Sequence, residues 1–209
     1  MIDSIIKNLS DGNIYSLDEI AVLTNTSTGY VESVLNNPSI IQTCGDGSGV
    51  IYYMNIKYDT IVDGTGFRNT VYCAKCDIRC KECHNPQSWN IENGKPITVK
   101  QLSKLLLENG NDITFSGGEC SLQAKTFVEL AKILKNNKKN IWLYSGRTID
   151  DLINNPETRK LLNLVDVLVD GKFINTKKNL NLPFRGSLNQ RVIDVQKSLQ
   201  EGRIILYFS

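Results

Sequence analysis

Four cysteines within eleven positions constrain this chain more than any other feature of its sequence. The segment C-A-K-C-D-I-R-C-K-E-C-H runs from Cys73 to His84 and holds four of the six cysteines and the single histidine. Its spacing is C-x2-C-x3-C-x2-C, which contains C-x3-C-x2-C at Cys76, Cys80 and Cys83, here called the cysteine triad. Thiolates this close in sequence can converge on one metal centre without help from the rest of the fold. The segment is therefore predicted to bind a metal.

Three kinds of metal site compete for these cysteines. A zinc site normally separates two C-x2-C pairs by a long insert, whereas only three residues separate the pairs here. A bacterial ferredoxin run has the order C-x2-C-x2-C-x3-C-P, which this segment lacks. The third possibility places three thiolates on a four-iron cluster and leaves one iron open for a ligand. A disulfide is the non-metal alternative, but Met1–Ser4 do not begin a secretory signal, so a cytoplasmic, reducing location is predicted.

The order of several motifs resembles the radical S-adenosylmethionine (SAM) superfamily. The cysteine triad is followed downstream by Ser116-Gly117-Gly118-Glu119. The finer similarity is to the activating proteins of anaerobic ribonucleoside-triphosphate reductase, and it extends from about residue 57 to residue 199. Further segments that resemble this family, in the same order, are 63–68, 141–146, 166–171 and 184–191.

The resemblance implies a [4Fe-4S] cluster on Cys76, Cys80 and Cys83, with SAM bound beside it. It also implies a set of residues that contact SAM: Glu82, Cys83 and His84 along the adenine, Gly117 and Gly118 where the backbone approaches, Glu119 at the ammonium, and Ser145. No side chain is expected to act as an acid or base. Two positions depart from the family pattern. Cys120 stands where proline is frequent and Cys73 where a noncysteine residue is frequent, and both are predicted to be nonligands.

The function implied by the resemblance is the activation of anaerobic ribonucleoside-triphosphate reductase. Reductive cleavage of SAM would give a 5′-deoxyadenosyl radical, which would take a Cα hydrogen from a glycine of the reductase. The electron would come from a donor such as a flavodoxin-type reductant. One alternative is the activation of another glycyl-radical enzyme. An alternative of a different class is a DNA-binding regulator, in which a bound metal ion stabilises a winged-helix domain.

Charge divides the chain into two predicted modules, 1–55 and 56–209. Residues 1–55 carry a net charge of −5 and the remainder +7, within a total of +2. The first module is predicted to be winged-helix-like, with helices at Ile2–Leu9, near Ile20 and from Ser27 or Thr28, and a hairpin of Ile40–Thr43 and Val50–Tyr53. Its predicted recognition helix, 24–37, contains no Lys or Arg. DNA binding is therefore disfavoured.

The second module is predicted to be α/β. Strands are predicted at 57–62, 69–72, 112–116, 140–145, 165–169 and 203–208, and the helices between them start at Thr98, before Phe127 and at Thr148, with a break near Pro156. Alternating strands and helices favour a parallel sheet, which the resemblance narrows to the partial (β/α) barrel of radical SAM enzymes. The polar motifs follow the strands, at the edge where such sheets bind ligands. The sequence contains no apolar run of about 18 residues, so no membrane span is predicted.

Overall fold

The computed structural model describes residues 20–22, 27–35, 48–179 and 181–208. In the predicted N-terminal module, residues 20–22 are helical and helix α1 covers Thr28–Leu35. The predicted start of a helix at Ser27 or Thr28 is thus confirmed. The helix predicted at Ile2–Leu9 and the hairpin strand predicted at Ile40–Thr43 lie outside the described residues.

A seven-stranded sheet forms the centre of the described structure. Its strands in chain order are β1 Val50–Thr60, β2 Arg68–Cys73, β3 Lys95–Thr98, β4 Asp112–Gly117, β5 Ile141–Tyr144, β6 Val167–Asp170 and β7 Arg191–Asp194. Their order across the sheet is β3-β1-β2-β4-β5-β6-β7. Strands β2, β4, β5 and β6 run parallel to one another, whereas β1, β3 and β7 join antiparallel. The predicted α/β class is confirmed, with four parallel strands in a sheet that is open across the described strands.

Strand β1 passes through the predicted module boundary between residues 55 and 56. The sequence predicts two strands here, Val50–Tyr53 and Lys57–Val62, but the structure has one strand that pairs with both β2 and β3. The pairing with β2 is irregular between Tyr53 and Asn55. This irregularity falls between the two predicted strands and does not interrupt β1. The predicted wing strand Val50–Tyr53 therefore belongs to the central sheet.

The helices after β3 confirm the predicted starts and the predicted break. They are α2 Val99–Leu107, α3 Ala124–Asn136, α4 Ile149–Asn154, α5 Pro156–Leu162 and α6 Val195–Glu201. Thr98 and Thr148 each begin a helix with a capping box, in which the hydroxyl accepts from the backbone N–H three residues on. The helical region after Thr148 breaks before Pro156, which is tolerated at a helix start because it has no N–H to satisfy.

Helices α2, α3 and α5 cover one face of the sheet. Their apolar side chains form one buried cluster with the strands, in which Phe115 of β4 meets Phe127 of α3 edge to face, with ring centroids 4.9 Å apart. Because side chains alternate along a strand, Ile141 and Leu143 face this cluster while Trp142 faces the other side. There Trp142 packs in a smaller cluster with residues of β6 and β7.

The predicted last strand, Arg203–Phe208, is wrong. Within it only Leu206 makes an isolated bridge, to Ile193 of β7. Two backbone hydrogen bonds flank this bridge, from the Asp194 N–H to the Ile205 carbonyl at 2.9 Å and from the Tyr207 N–H to the Val192 carbonyl at 2.8 Å, so the segment joins β7 over too short a length to form a strand. Tyr207 also packs against Trp142, with ring centroids 5.4 Å apart. Among the described helices, none has both the length and the apolar character needed to cross a membrane.

Candidate functional site

A cavity of about 860 Å³ opens where the four parallel strands end. Each of these strands contributes a lining residue at or near its carboxyl end: Tyr72, Ser116, Tyr144 and Val169. This is the edge at which open α/β sheets bind ligands. The cavity therefore lies where the polar motifs of the sequence predict a site.

The cysteine loop, residues 74–84, forms one side of this cavity. Its start is fixed by the Ala74 N–H, which donates to the Tyr52 carbonyl at 2.9 Å. The Cys76 N–H donates to the Trp89 carbonyl at 3.2 Å. Cys80 and Cys83 line the cavity. The loop is thus anchored to β1 and to the short helix that follows it, Pro86–Trp89.

A left-handed residue stands immediately before each member of the cysteine triad. Lys75 has φ 74°, Arg79 has φ 46° and Glu82 has φ 59°. Non-glycine residues with positive φ are uncommon, each costs about 1–3 kcal/mol, and they concentrate at functional sites. Three such residues turn the loop repeatedly, so that three thiols project from eight consecutive residues, 76–83.

The triad thiols are free and half-buried. Among the described residues, no three Cys, His, Asp or Glu side chains are close enough together to hold one metal ion. The structure therefore places the triad in one loop without gathering the sulfurs. Burial raises the pKa of Cys76, against hydrogen bonds from the backbone of Arg79 and Ile78. In its donor chemistry the loop fits an iron–sulfur cluster, which proteins hold by cysteine thiolates.

The Gly117-Gly118-Glu119 segment, here called the GGE turn, lies against the start of the cysteine loop. The Gly118 N–H donates to the Cys73 carbonyl at 2.8 Å, and the Glu119 N–H to the Lys75 carbonyl at 2.7 Å. Gly117 has φ 100°, and a Cβ there would lie 2.6 Å from the Cys73 nitrogen. Only glycine permits this approach of two backbones. Both glycines line the cavity, and their predicted contact with SAM stays a prediction.

Glu119 is fully buried, and its carboxylate joins the GGE turn to the loop after β5. It accepts from the Ser145 hydroxyl at 3.0 and 3.1 Å, from the Gly146 N–H at 2.9 Å and from the Ser121 N–H at 3.2 Å. Burial raises the pKa of Glu119, while these hydrogen bonds oppose the rise. The side chain is not among the described residues that line the cavity. The predicted contact of Glu119 with the ammonium of SAM stays a prediction.

The other predicted contact residues divide into two groups. Ser145 and His84 line the cavity, whereas Glu82 is exposed and is not among the lining residues that the structure describes. The His84 ring lies 5.5 Å from the ring of Phe173, which follows β6. The pair places two flat side chains at the cavity, suitable for stacking on a base.

The loop after β5 also contacts the cysteine loop, through an ion pair and an apolar contact. Arg147 Nη2 lies 2.6 Å from Asp77 Oδ2 within the cysteine loop, and Arg147 Nε donates to the Ser121 hydroxyl at 3.2 Å. Ile78 packs on Gly146, where a Cβ would meet its side chain. One segment therefore contacts both the predicted cluster loop and the residues after the GGE turn.

Sequence reasoning missed part of the cavity wall: Met54, Asn55 and Lys57 of β1, Tyr72 of β2 and Phe173 after β6. The wall also contains Tyr144, Gly171, Gly186 and Gln190, which fall within the segments that resemble the family. The Tyr72 hydroxyl donates to Asp63 at 2.7 Å, and burial together with this bond raises the pKa of Tyr72. Asp63 opens the segment 63–68, whose similarity to the family was the available signal. The tyrosines become candidates only once the neighbouring strands are known.

Comparisons with known proteins support an iron–sulfur site. Residues 62–193, more than half of the chain, match a family described as a 4Fe-4S single cluster domain. The anaerobic ribonucleoside-triphosphate reductase-activating protein of Escherichia coli (strain K12) is 32% identical over 144 residues, which cover 63% of this chain and 91% of that protein. The protein of the same name from Pasteurella multocida (strain Pm70) is 31% identical over 149 residues, covering 66% and 94%. The pyruvate formate-lyase-activating enzyme of Clostridium pasteurianum is 40% identical over 82 residues, covering 36% and 34%.

An open α/β sheet with a three-cysteine loop at the ends of its parallel strands, together with these matches, defines a class of iron–sulfur proteins. The chain belongs to the 4Fe-4S single cluster domain family, together with the anaerobic ribonucleoside-triphosphate reductase-activating proteins. The resemblance identified from the cysteine and glycine motifs is thereby confirmed.

Proposed function

We propose that this chain activates anaerobic ribonucleoside-triphosphate reductase by generating the glycyl radical of that enzyme. The observation that carries the proposal is that the cysteine loop and the GGE turn border one cavity at the ends of the parallel strands. Its volume of about 860 Å³ falls within the range of about 300–1,000 Å³ for small-molecule sites. The identity of 31–32% to proteins named as activators of this reductase supports the partner.

The proposed cluster ligands are Cys76, Cys80 and Cys83, each as a thiolate. When bound and reduced, the [4Fe-4S] cluster supplies the electron that cleaves SAM into methionine and a 5′-deoxyadenosyl radical, which removes a hydrogen atom from the glycine Cα. A flavodoxin-type reductant is the proposed source of that electron. The open sheet, with four parallel strands, supports a partial barrel of the radical SAM type.

The chain's own residues would bind and orient SAM in the cavity. His84, with Phe173 beside it, offers a surface for the adenine, and the backbone of Glu82 and Cys83 is proposed to hydrogen-bond to it. The two glycines and Ser145 line the adjoining wall. Glu119 is a positioning residue in this proposal, because it acts through Ser145 and Gly146.

Residues 1–55 are proposed to be a winged-helix-like docking module without DNA binding, in a cytoplasmic protein, with the last residues of this segment, 50–55, belonging to β1 of the central sheet. Support comes from the net charge of −5 in this segment, since phosphate contacts require Lys and Arg. The continuity of β1 across the boundary ties the module directly to the sheet that carries the site.

A second candidate target is another glycyl-radical enzyme. The observation that favours it is the 40% identity to a pyruvate formate-lyase-activating enzyme over 82 residues. This identity is higher than that to the reductase activators but covers a shorter segment. The two candidates share the cavity and the cluster and differ only in the protein that presents its glycine.

The test combines the reduced, anaerobically reconstituted protein with SAM and a purified target enzyme. We expect a glycine-centred radical on the reductase by electron paramagnetic resonance, and deuterium from a labelled glycine Cα in the 5′-deoxyadenosine. A Cys80→Ala protein is the control and should give neither signal. A radical on pyruvate formate-lyase alone would establish the second candidate. If neither enzyme acquires a radical, the proposal is wrong, and deuterium retained on a glycine that becomes a radical would exclude direct abstraction.

A further inference from the structure

Two cysteines outside the triad meet in the buried core beside the GGE turn. Cys73 is the last residue of β2, and Cys120 follows the GGE turn, 47 residues further along the chain. Their sulfurs lie 3.1 Å apart, with the Cys120 thiol donating to Cys73, and neither side chain is exposed. Both thiols are free. A disulfide requires about 2.05 Å between sulfurs, so an approach of roughly 1 Å would permit one.

We propose that Cys73 and Cys120 are a reversible dithiol–disulfide pair that a hydroperoxide oxidises and a dithiol reduces. One sulfur attacks the peroxide, so that the O–O bond breaks, a sulfenic acid forms and water or an alcohol leaves. The second sulfur then attacks the sulfenic sulfur, and the S–S bond forms as water leaves. Two electrons pass from the sulfurs to the peroxide, and both thiol hydrogens leave in the products.

The disulfide would join two segments that already lie in register. Cys73 pairs with Gly117 in the parallel ladder of β2 and β4, and its carbonyl accepts from the Gly118 N–H. A covalent link across 47 residues restricts the unfolded chain and so stabilises the fold. The oxidised pair therefore holds the ends of β2 and β4 together at the site. The idea that the disulfide preserves the site while an oxidant removes the cluster rests on the proposed function. The formation of the disulfide does not rest on it.

Burial determines when the pair reacts. It raises the pKa of the Cys120 thiol well above the ordinary value, with the neighbouring Cys73 adding to the rise. Because neither sulfur is exposed to solvent, a hydroperoxide should reach this pair more slowly than it reaches the half-buried triad thiols once these are released. Cys73 and Cys120 are thus expected to remain thiols during mild exposure and to form the disulfide under stronger oxidation.

The test treats the cluster-loaded full chain with hydrogen peroxide until the cluster absorbance is lost. Unreacted thiols are then alkylated in one sample, and peptides are mapped without reduction by mass spectrometry. We expect a peptide pair that links Cys73 to Cys120. A second, unalkylated sample is divided, and half is reduced with dithiothreitol, so that both halves lack the cluster. The oxidised half should unfold about 5–10 °C higher than the reduced half.

Cys120→Ser and Cys73→Ser are the matched controls, and each should lose the linked peptide and most of the difference in unfolding temperature. Because two independent variants are used, a folding defect in one does not decide the outcome. The inference is overturned if the triad cysteines are oxidised and no Cys73–Cys120 peptide is found. It is also overturned if the peptide is found but the wild-type difference does not exceed that of the variants. Neither outcome depends on radical formation, so failure of the proposed function is distinguishable.

Discussion

Replacing Glu119 should weaken the connection between the GGE turn and the loop after β5. In Glu119→Ala, the Gly146 N–H and the Ser121 N–H lose their acceptor, and the Ser145 hydroxyl loses one partner. In Glu119→Gln, one carboxylate oxygen becomes an NH₂ group that faces a donor, while the other oxygen still accepts. The alanine variant should therefore be the more destabilised of the two.

The magnitude follows from the number of donors left unpaired. A buried donor without a partner costs about 1–3 kcal/mol. Leaving two backbone donors unpaired would cost about 2–6 kcal/mol. Part of that cost is offset because the variant no longer buries a charged carboxylate. We expect the free energy of unfolding to fall by about 2–4 kcal/mol in Glu119→Ala and by about 1–2 kcal/mol in Glu119→Gln.

The pH dependence separates this explanation from a simple loss of packing. Because burial raises the pKa of Glu119 in the folded state, its contribution to stability is full below the unfolded pKa of about 4.3. That contribution is lost as pH rises through the folded pKa. Glutamine does not titrate. The stability of the wild type relative to Glu119→Gln should therefore increase as pH falls through the raised folded pKa towards the unfolded pKa of about 4.3.

The assay is urea unfolding of the reduced full-length chain, followed by far-ultraviolet circular dichroism at several pH values. Glu157→Gln is a matched control, because Glu157 forms an exposed ion pair with Lys160; such pairs contribute about 0–1 kcal/mol. If Glu119→Ala and the control lose the same small amount, Glu119 does not join the two loops. If the difference between wild type and Glu119→Gln shrinks as pH falls, burial does not dominate its ionisation.

Three further predictions concern the cluster, the module boundary and the GGE turn. Single alanine replacements in the cysteine triad should abolish reconstitution of a four-iron cluster, measured by iron and sulfide analysis, whereas Cys73→Ala should retain it; loss of the cluster in Cys73→Ala would contradict the ligand assignment. A chain that starts at Ser48 should reconstitute the cluster. A chain that starts at Ile56 should not fold, because it lacks half of β1, and circular dichroism would show this. Equal folding of the two chains would mean that the first half of β1 is dispensable. In Gly117→Ala, the free energy of unfolding measured in urea should fall by about 3 kcal/mol or more, because an L-residue is strained at φ 100° and its Cβ would contact backbone atoms. A decrease below about 1 kcal/mol would show that the GGE turn can adjust to the added Cβ.

The elements that the sequence predicts correctly depend on residues close together in the chain. The capping boxes at Thr98 and Thr148 involve a hydroxyl and an N–H three residues apart. The break at Pro156 needs only the missing N–H of one residue. The triad spacing, 76–83, likewise specifies a local loop with three donors. The order of strands and helices also follows from local periodicity, which is why the α/β class could be predicted.

Contacts between distant segments could not be predicted in the same way. Pairing of β1 with both β2 and β3 is decided by which strands become neighbours, so the sequence pattern divided one strand into two. Glu119 is predicted to face a ligand, but its burial depends on Ser145 and Gly146, which lie on another strand's loop. The walls contributed by β1 likewise become visible only once the sheet is assembled.

By itself, the sequence determined the chemistry of the site: three thiols on one short loop, two glycines and a carboxylate after a later strand. Only the tertiary structure decided how these parts meet, with the GGE turn hydrogen-bonded to the cysteine loop and Glu119 facing the β5 loop. It also brought Cys73 and Cys120 together across 47 residues. The physical reason is that spacing acts through the covalent chain, whereas these contacts arise from the parallel register of strands far apart in sequence.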